Sequence, residues 1–318
     1  DHTEAALGKK SPQKAKNWWG YELTIVTTLQ NKNDGTDPTV PHLITGLAFD
    51  GAGREPGMNA VRAFKPGFEA GLPSNLVVAD RAYYANAVPS KFHIPMASMG
   101  FKPVTDYKKN QLGKQEGHKG AIQVDGWWYC PTMPEGLVNA SRDFMNGKID
   151  EVDYEKRLAA RKKYAATRKD RMDEHGTTRW AHPTEIGHRC DPNRPGAGEF
   201  CTQKTVSFGI DAGFKFTQEF PYKSEKWKAA YALRSTVESV NAGLKRASTH
   251  GLDNPERRRL RGRTAQFFLV ALTVMARNIE SLLDFKKRQT DPDYALKIAR
   301  KKALRLRTPY NNATHDDG

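Results

Sequence analysis

Cysteine is scarce in this chain: there are three in 318 residues, at Cys130, Cys190 and Cys201. That is too few for a disulfide framework, and no cleavable leader opens the sequence, so a reducing cytoplasm is the expected compartment. Long apolar runs are missing as well. The longest, Phe267 to Ala276, covers ten residues before Arg277 and Asn278 interrupt it, against about 20 needed to span a bilayer. It reads as a buried core helix. Acidic residues are in the minority, with 36 Asp plus Glu against 51 Lys plus Arg and a net charge of +15. A surplus of that size favours a polyanion partner, nucleic acid first, through phosphate neutralisation and counterion release. A basic protein that simply stays soluble is the blander alternative.

What is present reads as a folded α/β chain without internal repeats. Tyr21–Leu29 and His42–Phe49 are β-branched and aromatic and predict paired strands, and Asn59–Phe68 has a helical period. Asn75–Ala79 is a short, wholly apolar run ending at Asp80, the pattern of a doubly covered strand with a polar residue emerging at its C-terminal end. Tyr84–Phe92 predicts a helix and Pro103–Tyr107 another strand. Between about Lys108 and Phe208 the character changes. A hairpin is expected over Ile122–Tyr129 and a charged helix over Ile149–Glu174, which together suggest an insertion between two halves of one domain. Helices are then expected over Trp227–Lys245 and Thr264–Phe285, followed by a basic, polar tail.

On a continuous helix at 100° per residue, Tyr231, Arg234, Glu238 and Lys245 fall within an arc of roughly 60°. Leu233, Val237, Val240 and Leu244 lie towards the opposite side. Spacing alone is compatible with a solvated face carrying an Arg234–Glu238 pair. The order Tyr, two residues, Arg, three residues, Glu, six residues, Lys nevertheless resembles the signature of bacterial insertion-sequence DDE transposases. The run Leu76–Tyr84 (LVVADRAYY) resembles the second carboxylate motif of the same family.

The resemblance spans roughly Trp18 to Asn278. It implies a ribonuclease-H-like catalytic core with a large insertion between the second and third catalytic carboxylates. On that reading residues 1–107 form the first half of the core, 108–208 the insertion, 209–290 the helical second half carrying Glu238, and 291–318 a basic tail. Asp80 and Glu238 are then implied as catalytic metal ligands for Mg²⁺ or Mn²⁺, and Tyr231, Arg234 and Lys245 as DNA contacts. The implied reaction is cleavage at transposon ends and strand transfer into target DNA by a homodimer acting on paired terminal inverted repeats, in a cytoplasmic, nucleoid-associated setting with no membrane. The first carboxylate is either Asp1, which is followed two residues later by Thr3, or a residue upstream. A DNA-binding remnant without catalysis and a ribonuclease-H-like nuclease are the alternatives.

Several further groups are candidates for lesser roles. Asp50 and Asp106 sit near strand ends as supporting groups or ordinary turn residues. Trp127, Trp128 and Trp180 could stack on an extruded base, although most such residues belong to cores. The charged stretch from Lys156 to Arg171 could track phosphates or form a solvated face. His188, Cys190, Cys201 and Cys130 offer soft ligands for a structural zinc in a spacing that matches no standard finger, and three free, partly buried thiols are the default.

Overall fold

The computed structural model describes residues 6–8, 18–29, 39–85, 87–170, 173, 176–186, 190–195, 197–246, 248–254, 256 and 259–307. They fall into two units: a larger one drawn from residues up to 27 and from 45–239, and a smaller one drawn from 28–29, 39–44 and 240–307. The class is mixed α/β with small sheets.

The larger unit begins with a three-stranded sheet in which β1 (Ala6–Gly8), β2 (Trp18–Thr28) and β3 (Leu43–Gly51) are neighbours in that order. Helix α1 (Pro56–Glu69) follows, with Pro56 at a first-turn position where its missing N–H costs nothing. It lies so close to β3 that a Cβ on Gly46 would meet the Ala63 carbonyl oxygen at 2.0 Å. Strand β4 (Leu76–Val78) leads into α2 (Arg81–Ala85), and after α3 (His93–Ser98) comes β5 (Lys102–Val104), which pairs parallel with β4. The helix expected over Tyr84–Phe92 is therefore broken. Pro89 disfavours helical backbone at Val88, and after a short 3-10 turn over Pro89–Lys91 the α-helix resumes only at His93.

Two more sheets follow. The first is the antiparallel β6 (Lys114–His118), β7 (Ala121–Val124) and β8 (Trp127–Tyr129). The Asp125-Gly126 turn between β7 and β8 has φ of 47° and 81°, as a two-residue hairpin requires. Asp125 is buried there and accepts hydrogen bonds from the Gly113 amide (2.7 Å), the Ser141 hydroxyl (2.6 Å) and the Arg161 guanidinium (2.6 Å). Helices α4 (Glu135–Val138), α5 (Ala140–Met145) and α6 (Glu151–Arg161) surround this network, and the Asp150 carboxylate caps α6 by accepting the Asp153 amide at 2.8 Å. The charged helix expected to reach Glu174 stops at Arg161, whose side chain turns inward to Asp125.

The second sheet is β9 (Thr167–Arg168), β10 (Thr178–Ala181) and β11 (Thr205–Phe208), with the short α7 (Glu199–Thr202) preceding β11. Trp128, Trp180, Phe200, Val206 and Phe208 share one core. Helix α8 (Glu225–Ala232) and the start of α9 (Arg234–Lys245) complete the unit.

The continuous helix expected over Trp227–Lys245 is interrupted at Leu233. The Ser235 hydroxyl donates to the Ala232 carbonyl at 2.9 Å, the acceptor that the Thr236 amide would take in a regular helix, and that amide bonds Leu233 instead at 3.0 Å.

In the smaller unit the last turns of α9 bury Val240 and Leu244, and α10 (Arg263–Thr290) buries Val270 and Val274. The Asn278 amide group bonds both backbone groups of Ile44, at 2.9 and 2.8 Å. The basic tail is helical over α11 (Pro292–Arg307), and the Tyr294 hydroxyl donates to Asp284 of α10 at 2.7 Å. The sequence predicts a helix over Thr264–Phe285, which is present, and reads its apolar run Phe267–Ala276 as buried, which outside Val270 and Val274 it is not. Helix α10 runs for 28 residues and is, by length and composition, long and apolar enough to cross a membrane, and it exposes Phe268, Leu272, Met275, Ile279 and Leu283. The period-3.6 pattern reported an amphipathic helix; it did not report a covered one.

Candidate active site

Asp80 stands two residues beyond β4 and directly before α2. It is exposed, its Oδ1 accepts the Arg81 amide at 2.6 Å, and its carbonyl accepts the Tyr83 amide at 3.1 Å. Asp106 stands at the same offset beyond β5. Because β4 and β5 are parallel, both carboxylates rise from one edge, the C-terminal edge where open α/β sheets carry their sites. Asp106 accepts the Tyr107 amide at 3.0 Å and the Tyr222 hydroxyl.

Helix α8 is seated on these two strands. Trp227, Ala230 and Tyr231 pack with Leu76, Val78 and Val104. The Trp227 indole N–H donates to the Thr105 carbonyl at 3.2 Å and to Gln218 Oε1 at 2.8 Å, which ties the helix to the end of β5. The rings of Tyr107, Tyr222, Trp227 and Tyr231 form a continuous column with centroid spacings of 5.1, 5.0 and 4.5 Å. Two cations lie on it: Lys223 Nζ is 4.5 Å from the Trp227 ring centroid and the Arg234 guanidinium is 5.7 Å from that of Tyr231.

The electrostatics place Tyr231 among charges of both signs. Burial first, then the Asp106 and Asp80 carboxylates, push its phenol above the ordinary value, while Arg234 and Arg81 pull it down. Burial holds the Lys223 ammonium below its ordinary value, with Lys228 and Arg81 acting in the same sense and Asp106 opposing them. Burial also raises Tyr222, and its hydrogen bond to Asp106 adds to the shift.

One turn beyond Arg234, Glu238 forms an ion pair with it at 2.9 Å, and 58% of the Glu238 side chain is exposed. An exposed i,i+4 pair of this kind contributes only about 0.3–0.5 kcal/mol, so either partner can be redirected at little cost. Lys245 closes α9, is exposed, and belongs to the smaller unit. The single stripe expected from Tyr231 to Lys245 is thus divided: Tyr231 ends α8, while Arg234, Glu238 and Lys245 sit on α9. The contact between Arg234 and the Tyr231 ring bridges the break.

Other sequence candidates are placed differently. Trp128 and Trp180 are buried, and the Trp127 indole donates to the Ala166 carbonyl at 3.0 Å and packs edge-on against Trp180. None of the three is displayed for a base, because the core of the β9–β11 sheet claims them. In the charged stretch Arg161 is buried against Asp125, and Arg157 pairs with Asp143 at 3.4 Å. Asp50 pairs with Arg62 of α1 at 2.9 Å, a structural role at the end of β3. Asp1 and His188 lie outside the described residues. A cavity of 740 Å³ opens elsewhere in the unit, lined by His93, Lys102, Arg168, Trp180 and Glu219 but by none of the rim residues.

The sequence leaves Asp106 as either a supporting group or a turn residue, and its place beside Asp80 favours the first. The signal was there: Val-Ala-Asp after β4 and Val-Thr-Asp after β5 repeat one offset. As donors, Asp80 and Glu238 are exposed hard oxygens, the type that suits Mg²⁺ or Mn²⁺. Among the described residues they are not gathered with a third carboxylate into a ready metal cage.

A family model described as the transposase DDE domain matches residues 43–279. No curated protein and no solved structure matches the chain.

Proposed function

This chain belongs to the transposase DDE domain family, and from that membership we propose that it cuts DNA at transposon terminal inverted repeats and joins the freed ends to target DNA. DNA is the partner that membership implies, and the family's reaction uses divalent metal ions. The observation that carries the reading is the rim where Asp80 and Asp106 leave parallel strands beside Tyr231, Arg234 and Glu238.

We assign Asp80 and Glu238 as the side chains that hold Mg²⁺ or Mn²⁺, with Asp106 fixed behind them by Tyr222. Bound divalent cations supply activation of the attacking oxygen and stabilisation of the leaving oxygen in phosphoryl transfer. The protein's own part is positional. Arg234 can exchange Glu238 for a DNA phosphate, which frees the carboxylate at the moment the backbone arrives and replaces a weak exposed pair with a charge-assisted contact. Tyr231, stacked on Trp227, presents its hydroxyl edge to the backbone, and Lys245, in the smaller unit, is assigned as a further DNA contact. The corresponding architecture is a ribonuclease-H-like core of residues 1–107 and 209–290, split by an insertion at 108–208 and followed by a basic tail, acting as a homodimer on paired ends.

A second reading, DNA binding without cutting, is favoured by one observation: Glu238 is engaged by Arg234, and among the described residues no group of three carboxylates forms at the rim. The deciding experiment is Mg²⁺-dependent cleavage of a duplex carrying the element's terminal repeat, comparing the parent chain with Asp80→Asn and Glu238→Gln. Cleavage lost in both variants with binding intact supports the assignment. Binding without cleavage by the parent selects the second reading, and cleavage without end joining selects a ribonuclease-H-like nuclease.

A further inference from the structure

All three cysteines of the chain converge on one point, and a histidine joins them. Cys130 follows β8 and is fully buried. His182 follows β10 and is 5% exposed. Cys190 lies on the connection after it, and Cys201 lies on α7. One ligand atom from each of the four falls within 4.8 Å of every other, and Cys190 Sγ is 3.2 Å from His182 Nε2. These residues come from four separate segments of the larger unit, so local sequence cannot have brought them together.

We propose that Cys130, His182, Cys190 and Cys201 form a tetrahedral structural site for Zn²⁺. Three thiolates and one imidazole are the soft donor set that selects this ion, and four protein ligands with no open position mark a structural site. With Zn–S bonds of about 2.3 Å and Zn–N bonds of about 2.0 Å, tetrahedral ligand atoms lie roughly 3.5–3.8 Å apart. The observed group needs to contract by at most about 1 Å to reach that spacing.

The surroundings complete the site in the manner of outer-shell support. Thr184 Oγ1 lies 3.5 Å from His182 Nδ1, leaving Nε2 directed at the cluster. The Thr132 hydroxyl is 3.1 Å from Cys130 Sγ, and the Arg194 guanidinium donates to Cys201 Sγ at 3.6 Å. Binding would release three thiol protons to solvent and leave a net charge of −1 on the centre, which Arg194 offsets. The sequence offered His188 with the three cysteines as possible zinc ligands and took free thiols as the default; His188 lies outside the described residues, and His182 is the histidine that stands with the cysteines. The ion would tie the ends of β8 and β10 to α7, in a region whose elements are otherwise short. None of the four ligands belongs to the Asp80–Glu238 rim, so this inference and the transposase reading stand or fall separately.

The test is metal analysis of the purified full chain. The expected result is about one zinc per chain, lost in Cys190→Ser and retained in Cys190→His, which keeps four ligands. Co²⁺ added to chelator-stripped protein should give thiolate charge-transfer bands and the intense visible absorption of a tetrahedral site. A zinc chelator should lower the thermal midpoint of the parent chain, a readout that does not depend on any variant folding. Metal-free parent protein with three titratable thiols and a midpoint indifferent to chelator would overturn the proposal, as would a disulfide among the three cysteines.

Discussion

Around Cys130 four ligand atoms are collected, two buried and two half-buried, held by two sheet ends, the connection after β10 and a short helix. Around Asp80 hard carboxylates stand at an exposed rim, and Glu238 is occupied by a neighbour on its own helix. The Asp125–Arg161 network has the same pre-formed character. Asp125 and Arg161 are both buried and satisfied by several partners, whereas the rim's charges sit among water and rings. The difference separates two uses of charge. In the Asp125–Arg161 network charged groups fix a shape in advance, because a buried ion tolerates no loss of partner. At the rim the Arg234–Glu238 pair is held loosely enough to be exchanged for another partner, as the proposed function requires, because an exposed pair contributes little.

The sharpest way to break that contrast is to remove one member of the buried pair. Asp125→Ala should strand Arg161 and cost about 3–5 kcal/mol in urea unfolding. A loss below about 1 kcal/mol would mean the Asp125–Arg161 network is no more pre-formed than the rim. Next in size, Asp80→Asn or Glu238→Gln should slow Mg²⁺-dependent cleavage at least about 100-fold, the upper end of what losing even an outer-shell partner of a metal costs. The urea midpoint of either variant should stay close to that of the parent. Destabilised variants would make these residues structural.

His93 offers a third test inside the larger unit. It is buried beside Tyr84 and Phe92, and burial, reinforced by Lys215, lowers its pKa to about 4. The folded state therefore favours the neutral ring. Its contribution is complete above about pH 6.5 and is lost as the pH falls towards about 4, at up to about 1.4 kcal/mol per pH unit. His93→Phe should flatten the stability profile between pH 6.5 and 5, and an unchanged slope would assign the acid sensitivity to other groups. The smallest effect belongs to Arg234→Ala. It should weaken DNA binding uniformly across sequences and reduce the salt slope by about 1, while thermal stability shifts little.

Much of the rim could be read from the chain because its rules are local. An apolar run that ends in Asp, and a Tyr-Arg-Glu-Lys spacing, survive without tertiary knowledge, and the Asp125-Gly126 turn announced the β7–β8 hairpin. The errors share a cause. Leu233 breaks a helix because the Ser235 hydroxyl captures a carbonyl, which no hydrophobic period reports. Arg161 looked like a solvated cation until Asp125, 36 residues earlier, proved to be its partner. The expectation for α10 failed because periodicity shows which face is apolar and says nothing of what covers it. His182 carries no local signal of its nearness to the cysteines, because β10 delivers it to them across space.

The break at Leu233 also sets a mechanical phase. Tyr231 is keyed to the sheet through its helix, while Arg234 and Glu238 ride on the next one. A residue inserted or deleted at this joint would turn Arg234 and Glu238 by about 100° about their axis and leave α8 seated. Two substituted carboxylates would be a chemical lesion; a single-codon indel here would be a timing fault, with every part intact and facing the wrong way.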